Sequence, residues 1–199
     1  MTQRFILTVA LLLASTPTMS ASRPEPDPSD KSAVADCVAT MLHAIDVLDW
    51  TIVRESFTTQ VDVDYTSLFG GSPSTTQAED LIKTWRELLP GFDATQHLIG
   101  PVVVTRDRAT DNRVTAETHV RGYHRITAAD GGETWMVAGH YTMGLAHEAG
   151  QWRICSIKLS AFYQEGNLDL PKIAAQRATD PSQARKEHFG KTRPPRPPE

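Results

Sequence analysis

What the chain lacks narrows its class before any motif is read. Its 199 residues hold two cysteines, Cys37 and Cys155. Neither is spaced with histidines as a zinc site requires, so no zinc signature is present. In an exported chain the pair leaves two readings open, a disulfide or two buried free thiols. There is no unbroken run of roughly 20 apolar residues, the length a helix needs to span a bilayer. There is no strong excess of one charge: 20 basic side chains stand against 24 acidic ones, formally -4, mixed along the middle of the chain. A dedicated nucleic-acid binder would instead show a basic face. No internal repeat marks a solenoid.

What is present is enough apolar content, 40%, for one globular core with tails. The ends differ from the middle. Residues 1–21 read as a secretory signal: Arg4 supplies the positive charge, Phe5 to Ala14 the apolar stretch, and Thr18, Ser20, Ala21 and Ser22 the small residues for cleavage. Met19 departs from a clean A-x-A site, which leaves an uncleaved anchor as the alternative. Residues 22–31 are a Pro-rich linker, 32–165 the folded domain, and 166–199 an extension whose Pro-rich end (TRPPRPPE) has the composition of disorder. After signal removal no stable membrane span remains, and the expected location is secreted or periplasmic.

Inside the domain the hydrophobic period changes once. Val34, Cys37, Val38, Met41, Leu42, Ile45 and Leu48 recur at helical spacing, so a helix ends near Asp49 and a short second one covers Trp50 to Phe57. Val61, Val63 and Tyr65 alternate as a half-buried strand. Thr76 and Glu79 have capping-box spacing, and Leu81, Ile82, Trp85, Leu88 and Leu89 form the inner face of the helix that follows. From Thr95 the period is two. Strands are expected over about 95–107, 113–127, 133–147 and 151–161, with Asp111-Asn112, Asp130-Gly131-Gly132 and Ala149-Gly150 as turns. A last helix is expected over Pro171 to Ala178. Helices followed by antiparallel strands predict an α+β fold. A curved antiparallel sheet wrapped around the N-terminal helix would leave a conical pocket.

Four proton-handling residues fall among apolar neighbours. In the strand at 113–127, His124 shares a face with Val114, Ala116, Val120 and Ile126, while His119 points to water. Tyr65 is inward by the same parity. Asp46 follows the stripe of the first helix, and His97 sits in a strand apolar on both faces. Each alone is more often packing or surface than chemistry. Together they are costly to bury without a common cavity or mutual hydrogen bonds.

The segments IDVLDW (45–50), VDYTSL (63–68), TQHLIG (95–100) and GYH (122–124) resemble scytalone dehydratase and its relatives in the SnoaL-like branch of the nuclear transport factor 2-like superfamily. The resemblance covers roughly residues 32–160. It implies that Asp46 is the catalytic acid partner, that Tyr65 polarises a substrate carbonyl through water, and that His97 and His124 handle the abstracted proton and the leaving hydroxyl. The dehydratase carries a second tyrosine where this chain has Ile45. Ile45, Trp50 and Tyr141 would line the substrate, with Tyr141 restoring the missing phenol from another strand. A serine and an asparagine of the dehydratase have no clear counterpart, which separates this chain from the fungal pigment substrate.

The expected activity is therefore a cofactor-independent lyase (dehydratase) or isomerase acting on a small hydrophobic cyclic, aromatic or polyketide-like ketone. No metal or organic cofactor is required for such proton transfers. The competing readings are a non-catalytic small-molecule-binding exported protein of the same fold, and a structural subunit like those of ring-hydroxylating dioxygenases. The last needs a large apolar outer face, which Glu117, His119, Arg121 and Arg125 interrupt. A homo-oligomer is compatible with all three. Export is checked by mass spectrometry of the secreted or periplasmic protein, which should show a new N-terminus near Ala21. A mature cytosolic protein retaining Met1 would refute it.

Overall fold

The computed structural model describes residues 26–106 and 112–186. The signal sequence, residues 22–25 of the linker, Asp111 and the Pro-rich end lie outside the described residues. The first helix, α1 (Pro28–Asp46), begins inside the stretch read as linker. Pro28 takes its first turn, where no N–H is needed, and the Asp27 carboxylate accepts from Ser29 N at 2.9 Å. The helix stops at Asp46, three residues earlier than its apolar stripe suggests. Leu48 turns left-handed at φ 57° and buries its side chain completely. Asp49 then caps α2 (Trp50–Glu55) by accepting from Ile52 N at 3.2 Å.

The strand β1 (Phe57–Asp64) ends one residue before Tyr65, which opens the one-turn helix α3 (Thr66–Phe69). Asp64 makes that turn: its carboxylate accepts from Thr66 N at 3.1 Å and from the Thr66 hydroxyl at 2.6 Å. The expected capping box does not form. Thr76 belongs to a short strand, β2 (Ser74–Gln77), paired with β1, so α4 (Ala78–Arg86) starts without a side-chain cap and Glu79 pairs with Arg54 instead, at 2.7 Å. A 3-10 turn over Leu89–Gly91 leads into the rest of the sheet.

The first expected long strand is two, β3 (Ala94–Ile99) and β4 (Val103–Arg106). Gly100-Pro101 separates them, because proline has no N–H to continue a ladder. Then come β5 (Arg113–Arg125), β6 (Thr134–Glu148) and β7 (Gln151–Gly166), which runs past residue 161 to pair with Trp135. Helix α5 (Leu170–Ala178) closes the described chain. The sheet order is β2-β1-β7-β6-β5-β3, with β4 also on β5. All pairings are antiparallel except β1 with β7, a refinement of the expected sheet.

Irregular register at β1/β7 and at two places along β6/β7 bends this sheet into an open cone. Helix α1 lies across its concave side against β3, β4 and β7. Val34, Val38, Met41, Leu42 and Ile45 of α1 are buried in one cluster with Val114, Val120, Met143, Leu145 and Ile157 of the sheet. Fully burying one such aliphatic side chain contributes about 1.5–3 kcal/mol, so this contact outweighs any helix propensity. On β5, Val114, Ala116, Thr118, Val120, Gly122 and His124 are buried, and His119 is exposed, as alternation requires. The convex face also presents Leu98, Phe162 and Tyr163, apolar side chains from β3 and β7 that supplement the charged outer row of β5.

Both cysteines are free thiols and half-buried. Cys37 points its sulfur at the Trp152 carbonyl, 3.4 Å away, and burial pushes its pKa up to about 11. Thiol titration of protein unfolded without reductant should therefore count two thiols, and reductant should leave the melting temperature unchanged. A single disulfide, with no titratable thiol, is the contrary result.

Candidate active site

Inside the cone, between the sheet and α4, lies a cavity of about 680 Å³. Ile45, Tyr65, His97, His124 and Tyr141 all line it, with Val120, Val137, Trp135, Leu159, Leu81 and Trp85 as apolar wall. Trp50 does not reach it. Because Asp49 starts a new helix, Trp50 leaves the α1 stripe and is buried under Arg86, whose guanidinium carbon sits 6.0 Å from the ring centre. That assignment as a substrate contact is corrected.

Asp46 stands behind the wall, at the end of α1, and meets His97 twice. The His97 backbone N–H donates to Asp46 Oδ2 at 2.7 Å, and His97 Nδ1 lies 2.8 Å from Oδ1. A carboxylate oxygen only accepts here, so Nδ1 carries the hydrogen and a neutral ring keeps its lone pair on Nε2. That nitrogen is turned toward the inner face of β5 at Gly122. The side chains of His97 and Asp46 are 11% and 15% exposed, so their contact is little screened by water. Burial pushes the Asp46 carboxyl up, but the His97 ring bond and charge, the His97 amide and the Thr95 hydroxyl outweigh it, and the net shift is downward.

His124 has a different environment. Its ring packs between Phe92 and Trp135, with centres 4.8 and 4.5 Å away, and stands edge-on to His97 at 5.9 Å. Burial, aided by the nearby charge of His97, drops its pKa from 6.5 to about 3. It is a neutral imidazole across the physiological range, and its Nδ1 is buried without a partner. The phenols of Tyr65 and Tyr141 meet one another. Burial and the Tyr141 phenol hold Tyr65 well above its ordinary value, and burial pushes Tyr141 up to about 12, so both remain hydrogen-bond donors.

Charge in the lining is one-sided. Asp80 and Glu87 are among the lining residues of the cavity, and no lysine or arginine is. A cation near the dyad lies outside the wall. Arg185, from the extension, donates to the Asp46 backbone carbonyl at 2.8 Å and to the Thr95 hydroxyl at 3.2 Å. That leaves the Thr95 hydrogen for the Asp46 carboxylate. Nothing in sequence periodicity marks Arg185, because it lies in an irregular stretch after α5. Thr95 falls inside the TQHLIG segment but carries no charge to draw notice.

Residues 27–158 match the model of the SnoaL-like domain. The chain belongs to the SnoaL-like domain family. This is the SnoaL-like branch that the resemblance above implied. Among solved structures, Kfla4162 from Kribbella flavida is 31% identical over 72% of this chain and 97% of its own, with a TM-score of 0.67. A protein provisionally named scytalone dehydratase from Novosphingobium aromaticivorans is 18% identical over 69% of this chain and 87% of its own, at 0.57. The hexachlorocyclohexane dehydrochlorinase LinA-type3 from Novosphingobium barchaimii is 12% identical over 69% of this chain and 90% of its own, at 0.58. The last two likenesses are of fold. No match is found among curated proteins.

His124 makes a prediction about acid stability. Its folded pKa lies below its unfolded one, so the neutral ring stabilises the fold fully above pH 6.5 and loses that contribution as pH falls toward 3. The linkage is about 1.4 kcal/mol per pH unit for one proton. Asp46, Asp64 and Asp93, whose pKa values are lowered, lose theirs only below the ordinary carboxylate value of 3.8. Melting temperatures taken between about pH 6.5 and 4.5 should fall in the wild type and fall less steeply in His124→Asn. Parallel slopes would show that His124 is not held neutral.

Proposed function

We propose that this protein is a cofactor-independent lyase, a dehydratase, or an isomerase, that it is exported, and that its substrate is a small uncharged cyclic or polyketide-like ketone. The observation that carries the reading is the double hold of Asp46 on His97, which leaves an oriented Nε2 beside a largely apolar cavity. A ring held this way presents a fixed lone pair for removing a proton beside a carbonyl.

His97 Nε2 takes the proton from the carbon next to the carbonyl. Asp46 stabilises the imidazolium that forms and holds the ring in place. The electron pair moves onto the carbonyl oxygen, where the protonated Tyr65–Tyr141 pair, one phenol bonded to the other, can donate its remaining hydrogen. In a dehydration the pair returns to form the C=C bond and the β C–O bond breaks. The hydroxide leaves with the proton held by His97, as water. Neutral His124 hydrogen-bonds the departing oxygen rather than protonating it. In an isomerisation the same proton is returned to another carbon. This division favours His97 over His124 as the base. No lysine or arginine is among the described lining residues, which disfavours carboxylate and phosphate substrates, whose desolvation a fixed cation would offset.

A thermal-shift screen of cyclic ketones and phenols comes first, with carboxylate analogues expected to bind worse. With a turned-over ketone, His97→Asn should lower kcat by about 10²–10⁴-fold, the usual loss of a general base. Asp46→Asn should slow turnover too. His124→Asn and Tyr65→Phe should cost less, and His119→Asn, on the outer face, should cost nothing. If His97→Asn and His124→Asn both keep full activity, the histidines are structural and the binding-protein reading replaces this one.

A further inference from the structure

Gly122 occupies a strand position for which the backbone has no need of glycine. In the turns, the glycines with positive φ are accounted for by their conformation. Two other strand glycines are accounted for by packing: a Cβ at Gly139 would meet the Ser160 carbonyl oxygen at 2.7 Å, and one at Gly144 the Ser156 hydroxyl at 2.5 Å. Gly122 has no conformational reason, and the atoms a side chain there would press on are the imidazoles of the site itself. It lies within β5, in regular register with His97 on β3 and Val137 on β6, and its φ is not left-handed. Glycine within a strand costs backbone entropy that alanine would not.

What a side chain would meet at this position is the chemistry of the site. A Cβ would stand 3.3 Å from His124 Cε1 and 3.4 Å from His97 Nε2, the nitrogen left free by Asp46, and its three nearest neighbours, with His97 Cδ2 at 3.5 Å, all belong to these two imidazoles. Gly122 lines the cavity, and without a side chain the floor there is bare backbone edged by the two imidazoles. Val120 and His124 frame it along the strand, and His97 and Val137 frame it across. A strand glycine with no conformational role marks a place where something approaches the backbone closely.

We propose that Gly122 is a specificity-determining residue, and that its bare backbone is the floor on which a flat ring of the substrate lies. The proposal rests on the proton-transfer reading above. The ring's acidic C–H then faces His97 Nε2 and its departing oxygen faces His124. The substrate class is narrowed to planar or near-planar cyclic ketones, because a ring puckered or branched on that face would strike the strand.

The test pairs stability with binding in Gly122→Ala and Gly122→Val, using 1-tetralone as a flat fused-ring ketone. The alanine variant should melt close to the wild-type temperature, a small shift of the imidazole rings absorbing the added methyl. Its affinity for 1-tetralone, read by titration of the histidine imidazole NMR signals, should fall at least ten-fold, and further in the valine variant. Wild-type affinity in Gly122→Ala overturns the proposal, as does failure of the wild type to bind 1-tetralone. A large drop in melting temperature of the alanine variant also overturns it, since the glycine would then serve packing. Loss of binding in Gly122→Ala alongside full turnover of an identified substrate by His97→Asn would retain the floor and reject the base.

Discussion

One carboxylate holds two parts of this fold in register. Asp46 ends α1, and both its oxygens go to one residue of β3, one to the backbone amide and one to the ring of His97. A single-point contact would let the imidazole rotate about χ1 and χ2. With the amide also held, the carboxylate is fixed relative to the strand, and the ring has one favourable orientation. The same contact pins the helix end to the sheet edge, so the mouth of the cone and the direction of Nε2 are set together. Leu48, forced left-handed and fully buried, prevents α1 from continuing past this point.

Around that contact the protein keeps two histidines in opposite states of readiness. His97 has a partially buried anion at its back. His124 has two aromatic faces and an unpartnered nitrogen, and stays neutral. Were both rings paired with carboxylates, their charged forms would compete at 5.9 Å between centres. Placing one in an apolar slot removes that conflict. Arg185 adds a cation behind the dyad rather than in front of it. It satisfies the carbonyl left open at the end of α1, where the helix dipole favours positive charge, from outside the cavity lining.

Much of this was legible in the residues, and the failures have identifiable physics. Strict alternation on β5 separated His124 from His119 because one face of a sheet is buried and a period of two has no third option. The stripe on α1 marked the central helix because its burial dominates its stability. The Thr76–Glu79 capping box was misread because the same short polar residues also suit an edge strand, and β1 offered a partner for pairing. Trp50 was misassigned because one aspartate, Asp49, restarts the helix on a new axis, a change that hydrophobic periodicity does not register.

The sequence alone determined the α+β class, the strand faces and a set of ionisable residues too costly to bury apart. These follow from local period and solvation, which each residue carries with it. Tertiary structure alone decided which histidine Asp46 holds, because that depends on where the end of α1 lands on β3, 51 residues away in sequence. It alone decided that His124 is neutral, since its aromatic neighbours Phe92 and Trp135 come from outside its own strand. It alone brought Arg185 from the far end of the chain to the back of the dyad. Pairing distance and desolvation are properties of assembled neighbours, and no single segment contains them.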